Sequence, residues 1–340
     1  MTTSEREITA PVDLCDARGH LHPDARGWAR HPMLRANLKA RAGRKKRWDY
    51  WNVNSDEVVV GMTFADIDYA GLANVWVMEH ATAFQASAGV LRPFGKGLVL
   101  PEQVCTGTMR YTDKAFRLQI DETDERTRLR ASGTSPHGQI EVDVEVAKPS
   151  GHESLNVVIP WSDRTFQFTS KQNTRPATGT VRVGEQEWTL DAGHEAWGTQ
   201  DLGRGIWPYA NRWNWAAASG HSDGHLVGLQ FGGKWTVGTG ATENALCVDG
   251  VLSKVGEELE WTYDWDHPMA PWRVRTPMSD QVDVTLTPTF DRWDSTDLKV
   301  LKMQVHQCFG TWSGRIVTDD GTAVQVDGIR GFAEEARNRW

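Results

Sequence analysis

The chain has 340 residues, with 45 acidic and 37 basic side chains and a formal net charge of −8 at pH 7. This acidic balance argues against a general nucleic-acid binder, because such a protein needs many cations to neutralise phosphates. Hydrophobic residues make up 39% of the chain, and no apolar run approaches the ~20 residues of a membrane helix, so we expect a globular protein.

A basic segment opens the chain. No acidic residue lies between Asp24 and Asp49, whereas nine Lys and Arg side chains occupy 26–47. Such a block is typical of a solvated arm, and it also suits peripheral contact with an anionic membrane or an acidic ligand. We predict residues 1–50 as a basic N-terminal arm, with a helix candidate within 28–47.

Compartment and thiol chemistry follow from two simple observations. The first residues lack the apolar centre of a secretion signal, so we expect a cytoplasmic protein. The four cysteines are widely scattered and form no C-x-x-C pair, which argues against a zinc cage or a disulfide framework. They are Cys15, Cys105, Cys247 and Cys308.

From residue 51 onward the sequence alternates with period two, and turn residues interrupt it about every ten positions. Strands are predicted at 58–64, 73–78 and 139–146, the last with apolar and acidic residues on opposite faces. The stretch 171–179 is the predicted connection between two β halves, 51–175 and 176–340.

The second half continues the pattern with two hairpins. Gly184-Glu185 and Asp249-Gly250 separate alternating runs, and Asp-Gly tolerates the positive φ of a tight turn. Further strands are predicted at 259–265, 281–287, 299–308 and 312–318, and a short helix at 332–337. More than a dozen strands with little helix predict an all-β protein of antiparallel barrels or sandwiches.

The segment 191–219 places charged groups among tryptophans. Large apolar faces beside a few fixed polar groups suit a ligand pocket, and they also suit a barrel core whose Arg–Asp pairs survive burial. The tryptophans are Trp197, Trp207, Trp213 and Trp215. The ionisable side chains are His194, Glu195, Asp201, Arg204 and Arg212.

Neither the nucleophile-elbow match nor the histidines of this chain meet the structural context or spacing that their function requires. Residues 220–224 match the G-x-S-x-G nucleophile elbow, but both flanks are strand-like, so we predict Ser222 in a hairpin loop. His20, His22, His31 and the His194-Glu195 pair lack the spacing of a metal motif, so we predict neither a metal nor a cofactor.

Five stretches are distinctive enough to indicate a family: 151–161 (GHESLNVVIPW), 166–173 (FQFTSKQN), 202–209 (LGRGIWPY) with Trp213-Asn214-Trp215, 242–245 (TENA) and 331–335 (GFAEE). Together they resemble the bacterial domain-of-unknown-function 2804 family, DUF2804, from about Arg47 to the C-terminus. That family is remotely similar to the calycin-like double barrels of carotenoid hydratases, kievitone hydratase and certain Diels–Alder cyclases.

This resemblance implies two lipocalin-like halves packed together around an apolar isoprenoid or polyketide-like molecule, in addition to the N-terminal arm and the short C-terminal helix that the residues predict. In the hydratases an Asp before a Trp-Gly pair belongs to the pocket, with a W-x-W downstream. Asp201, followed by Trp207 and the motif at 213–215, is a loose counterpart. Leu202-Gly203-Arg204 stands where those hydratases have a His-x-Trp-Gly neighbourhood.

The first hypothesis is an enzyme that protonates an alkene and then adds water, isomerises or cyclises it. A carboxylic acid kept neutral by an apolar site, beside aromatic faces that stabilise a cation, would suffice. Asp201 or Glu195 would be the acid, and Arg204 an orienting group. The other candidates are the pocket residues Trp197, Trp207, Tyr209, Trp213 and Trp215, and the water-positioning residues Glu243, Asn244 and His306.

The second hypothesis is a carrier that shields a lipid without chemistry. Arg204 would then anchor an anionic head group, and the basic arm would collect ligand at a membrane surface. A purely structural β-protein is the third. In each case we expect no nucleic acid and no obligate protein partner.

Overall fold

The computed structural model describes residues 5–39, 43–101, 104–297 and 302–339. Within these ranges the protein is all-β and forms two curled half-barrel sheets, which confirms the predicted fold class. Single-turn 3-10 helices occur at Pro23–Ala25 and Ala192–His194, and no α-helix occurs in the described ranges. The arm contributes β1 (Val12–Asp13), β2 (Trp28–Ala29) and β3 (Leu34–Arg35).

The first sheet is built from residues 45–206 and from strand β2 of the arm. Its strands are β4 (Lys45–Asn54), β5 (Val58–Asp66), β6 (Ala70–Glu79), β7 (Gln85–Pro93), β8 (Gly107–Thr112), β9 (Phe116–Glu122), β10 (Arg126–Ser135), β11 (Gly138–Ala147), β12 (Leu155–Ile159), β13 (Phe166–Val183), β14 (Gln186–Leu190) and β15 (Trp197–Ile206). They follow the order β7-β6-β5-β4-β15-β13-β11-β10-β9-β8, with β12 and β14 paired to β13 and β2 to β12.

The second sheet is built from residues 210–339. Its strands are β16 (Ala210–Ser222), β17 (His225–Gly233), β18 (Ala245–Val248), β19 (Val251–Lys254), β20 (Glu260–Thr262), β21 (Trp272–Arg275), β22 (Val282–Asp297), β23 (Lys302–Val317) and β24 (Ala323–Arg339). The order is β19-β18-β17-β16-β24-β23-β22-β21-β20. Both predicted hairpin turns are confirmed, and Ser222 ends β16 at a hairpin, as predicted.

Strand β13 corrects the predicted connection at 171–179. These residues lie inside a continuous strand that pairs first with β12 and β15, then with β11 and β14. The register shifts between Gln172 and Arg175, and a bulge of this kind bends the strand from one set of partners to the other. The sheets change between Ile206 and Ala210, and the division at residue 175 stays a prediction.

The predicted C-terminal helix at 332–337 is wrong, because these residues belong to β24. Phe332 to Ala336 are all buried, since the strand contacts apolar neighbours on both faces. A strand buried on both faces loses the period-two alternation that reveals strands, and Ala, Glu and Arg favour helix by propensity.

The helix predicted within 28–47 is also absent from the described part of that segment, which includes β2, β3 and the start of β4. Trp28 and Ala29 pair with β12, and apolar residues of the arm pack on Phe168 and Leu202 of the first sheet. Pairing with the sheet therefore overrides local propensity.

Several cations of the basic block form ion pairs with this protein's own acids. Arg26 lies 2.6 Å from Asp163, and Arg30 lies 2.8 Å from Glu153. Arg35 and Arg47 likewise contact Asp13 and Asp66. Contact of this block with an anionic membrane stays a prediction.

Candidate active site between the two sheets

The two sheets meet through aromatic side chains. Tyr50 of β4 packs edge-on against Trp215 of β16, with ring centroids 5.7 Å apart, and Trp215 packs against Phe332 of β24 at 4.7 Å. Because side chains alternate along a strand, Trp48 and Asp201 lie on the same face of the first sheet as Tyr50. This face therefore brings a carboxylate into the interface.

Lys171 of β13 lies at the centre of a buried ionic cluster. Its Nζ is 2.8 Å from Oδ1 of Asp201 and 3.0 Å from Oε1 of Glu243, and it lies 4.2 Å from the ring centroid of Trp215. The Lys171 side chain is 4% exposed. Burial opposes its charge, but Asp201 and Glu243 together outweigh burial and raise the pKa of Lys171 above its ordinary value.

Three carboxyl groups in this interface each accept a hydrogen bond from an indole N–H. Such bonds fix both the carboxyl oxygen and the ring plane, because the indole has only one donor. The pairs are Trp48 with Asp201 Oδ2 at 3.0 Å, Trp235 with Glu243 Oε2 at 3.1 Å, and Trp213 with Glu334 Oε1 at 2.8 Å.

Glu334 of β24 differs from the other two carboxyls in its partners. It is 7% exposed, it accepts a second hydrogen bond from Gln307 at 3.0 Å, and no cation lies within ion-pair distance of it among the described residues. Burial raises the pKa of Glu334 to about 7, against the N–H of Trp213 and the charge of Lys171. Burial also raises the pKa of Glu243 to about 7, although Lys171 opposes the shift.

The tryptophans form a wall beside these carboxyls. Trp207 is its centre, and its ring lies within 5.0–5.8 Å of four other indole rings, with Trp235 stacked nearly parallel at 5.6 Å. The other three neighbours are Trp48, Trp161 and Trp213. An indole face attracts positive charge, so the wall can stabilise a cationic species.

The structure brings together five residues that the sequence indicated, namely Asp201, Trp207, Trp213, Trp215 and Glu243. The remaining candidates lie elsewhere. Trp197 donates to Glu195 at 3.0 Å, and Glu195 also contacts His221 at 2.8 Å, which forms a separate group.

Tyr209, Asn244 and His306 also lie outside the cluster. Tyr209 is 48% exposed, and the amide of Asn244 bonds the backbone of Gly232. His306 lies 2.8 Å from Asp291, between Trp265 and Trp293.

Arg204 lies on the opposite face of β15 from Asp201, because the two positions are three residues apart on an extended strand. Its Nη2 lies 2.6 Å from Oδ2 of Asp49, and its Nη1 donates a hydrogen bond to the Trp48 carbonyl at 2.6 Å. The Arg204 and Asp49 side chains are 2% and 0% exposed. Arg204 therefore holds an internal pair and does not contact Asp201.

Sequence reasoning missed Lys171, Glu334 and three tryptophans, Trp48, Trp161 and Trp235. The sequence did contain a pattern that includes Lys171. In β13, Gln167, Thr169 and Lys171 alternate with Phe166 and Phe168, which indicates a strand with one polar face. Glu334 lies within 332–337, which the sequence predicted as a helix and not as a strand facing the site. The three tryptophans lie far from 191–219 in sequence and join the wall only through sheet packing.

The two raised carboxyl pKa values predict how stability depends on pH. An unfolded Glu titrates near its ordinary 4.5, whereas Glu334 and Glu243 titrate near 7 when folded, so the folded state binds more protons between these values. Their contribution to stability is therefore lost as pH rises from 4.5 to about 7. We expect the free energy of unfolding, measured with urea, to fall less over this pH range in Glu334→Gln than in the unchanged protein. Equal losses would contradict the shift.

In the described ranges, no group of three or more His, Cys, Asp or Glu side chains is arranged to hold a metal ion. None of the helices described is long and apolar enough to cross a membrane.

Comparison with known families gives one match. The model described as "Domain of unknown function (DUF2804)" matches residues 5–340, so the match includes the arm and begins well before Arg47. A search of curated proteins finds no match.

Comparison with solved structures gives remote likenesses. A protein assigned as AttH from Nitrosomonas europaea is 12% identical, with 86% of this chain and 92% of that one covered and a TM-score of 0.48. Kievitone hydratase from Nectria haematococca is 10% identical, with 88% and 89% covered and a TM-score of 0.47. CghA is 11% identical, with 89% and 90% covered and a TM-score of 0.46. All three TM-scores are below 0.5, so these likenesses carry no functional argument, and the function is proposed from the site alone.

Proposed function

The chain belongs to the DUF2804 family, and we propose that it binds an apolar, unsaturated small molecule against its tryptophan wall and protonates it from Glu334. The observation that carries this proposal is a buried carboxyl with a pKa raised to about 7 beside aromatic faces. A carboxyl of this kind is substantially neutral at physiological pH and so has a proton to donate.

Glu334 suits the acid role better than the other two carboxyls. Asp201 and Glu243 each form an ion pair with the ammonium group of Lys171. Glu334 has only neutral N–H donors at hydrogen-bond distance among the described residues, so ionisation leaves it without a paired cation. Lys171, Asp201 and Glu243 then act as a fixed charged group that orients the tryptophans.

The proposed reaction balances without a cofactor. The Glu334 proton and the π electrons form a new C–H bond at one alkene carbon, and a cation remains at the other carbon. The indole faces stabilise this cation. Water adds to the cation and returns one proton to the Glu334 carboxylate, which gives an alcohol. Loss of a neighbouring proton to the same carboxylate gives an isomer instead, and attack by a second double bond followed by proton loss gives a ring.

The ligand would reach the wall from its partly exposed side. Trp48, Trp161 and Trp213 keep intermediate exposure, whereas Trp207 and Trp235 are 3% and 6% exposed. A non-catalytic carrier is the competing function. Arg204 gives that alternative little support as an anchor for a head group, because its guanidinium already binds Asp49.

Ligand trapping tests the proposal. The unchanged protein and Glu334→Gln would each be exposed to a lipid extract, purified gently and examined by native mass spectrometry with solvent extraction. We expect the variant to hold substrate and the unchanged protein to hold product, heavier by one water after hydration or equal in mass but different in retention after isomerisation or cyclisation. The same unaltered ligand in both proteins would favour the carrier and contradict the proposal.

A further inference from the structure

A groove of about 610 Å³ opens at one end of the second sheet. Five of its nine lining residues are cationic, in a protein whose net charge is −8. None of the described lining residues is acidic. The cations are Arg212, Lys234, Lys302, Arg337 and Arg339, and the other residues are Ala210, Asn211, Gln304 and Asn338.

Like charges lie directly opposite one another in this groove. Arg212 of β16 is the cross-strand partner of Arg337 of β24, and Lys302 of β23 is the partner of Arg339. Opposed like charges destabilise a sheet, because side chains of such pairs project from the same face a few ångströms apart. The arrangement therefore lowers the stability of the protein to the extent that neighbouring anions do not offset the repulsion.

The protein's own carboxylates neutralise only part of this charge. The buried Glu335 binds both Lys234, at 2.9 Å, and Arg337, at 2.6 Å, and Asp297 lies 3.9 Å from Lys302. Arg212 is exposed and makes no ion pair within the described chain. The Arg212 guanidinium therefore leaves an uncompensated positive charge facing the groove.

The groove also holds a prearranged guanidinium. The Arg337 guanidinium carbon lies 3.6 Å from the ring centroid of Trp265, and Glu335 holds its Nε at 2.6 Å. A guanidinium fixed in this way loses little rotamer freedom when its remaining N–H groups bind an anion.

We propose that this groove binds the phosphate groups of a small molecule, with Arg212, Arg337 and Lys302 as its main contacts. A phosphate group carries more charge than a carboxylate and has three acceptor oxygens, so it can bridge the opposed pair Arg212 and Arg337.

This site is independent of the proposed acid. Arg212 and Arg337 share one face of β16 and β24, and Trp213 and Glu334 project from the opposite face. Loss of anion binding therefore says nothing against protonation by Glu334, and failure of that reaction says nothing against the groove.

Inorganic pyrophosphate is the probe. Calorimetric titration measures its affinity, and thermal unfolding measures the Tm of the free and the bound protein. We expect pyrophosphate to bind and to raise Tm. Arg212→Gln should weaken binding about tenfold or more, as loss of a charge-assisted contact does, yet raise the Tm of the free protein by relieving the repulsion. Lys302→Gln provides a second test of binding. Arg273→Gln, an exposed arginine of β21 paired with Asp283, is the matched control and should leave binding unchanged.

Three outcomes would overturn the inference. One is absence of pyrophosphate binding, and another is equal binding by Arg212→Gln, Lys302→Gln and the unchanged protein. The third is sedimentation of the protein with phosphatidylglycerol-containing vesicles, lost in Arg212→Gln, without binding of free pyrophosphate, since that pattern would assign the groove to a membrane surface.

Discussion

Replacement of Lys171 by methionine is expected to lower the free energy of unfolding by about 3–5 kcal/mol, because it leaves the half-buried Asp201 and the buried Glu243 without their shared cation. Methionine keeps most of the side-chain volume, so the effect reports charge more than packing. Urea unfolding at neutral pH measures it. Lys114→Met, at an exposed lysine in the turn between β8 and β9, is the control and should change stability little.

The triple variant Lys171→Met, Asp201→Asn, Glu243→Gln makes this test specific. It removes both carboxyl groups together with the cation, so much of the lost stability should return. A triple variant as unstable as Lys171→Met alone would mean that Lys171 acts through packing. A Lys171→Met protein as stable as the Lys114→Met control would contradict the ionic cluster.

Replacement of Glu334 by glutamine is expected to lower the rate of proton transfer to the ligand by about 10²- to 10⁴-fold, the range for removal of a general acid. Glutamine keeps the size of the side chain and can still accept from Trp213, so ligand binding should persist. Deuterium incorporation into the trapped ligand in D2O, followed by mass spectrometry, measures the rate.

Asp319→Asn is the matched control for that variant. Partial desolvation also raises the pKa of Asp319, but this residue is exposed in the turn between β23 and β24, outside the tryptophan wall. Its replacement should leave the rate unchanged. A Glu334→Gln protein that exchanges deuterium at the rate of the Asp319→Asn control would exclude Glu334 as the acid.

Local sequence patterns predicted the strands that have one buried face and one exposed face. In β11, Ile140, Val142 and Val144 are buried while Glu141 and Asp143 are exposed, so alternation was visible in the sequence. The turns at Gly184 and Asp249 were predicted for the same local reason. Residues 332–337 failed because both faces of β24 are covered, which removes the alternation.

The candidate site was predicted only where its residues are close in sequence. Trp207, Trp213 and Trp215 follow one another around the change of sheet, and they drew attention as a group. Lys171 and Glu334 meet them through pairing across strands far apart in the chain, which no local pattern records. Arg204 shows the opposite error, since its proximity to Asp201 in sequence suggested a shared site that strand alternation separates.

The titration of Glu334 inside the folded protein is the most direct test of the proposed mechanism. Infrared difference spectra of the unchanged protein and Glu334→Gln, recorded across a pH series, isolate the C=O stretch of this one carboxylic acid. We predict that the protonated band persists to a pKa of about 7. Loss of the band near the ordinary glutamate pKa of 4.5 would show an ionised carboxylate at neutral pH and would contradict its role as the acid.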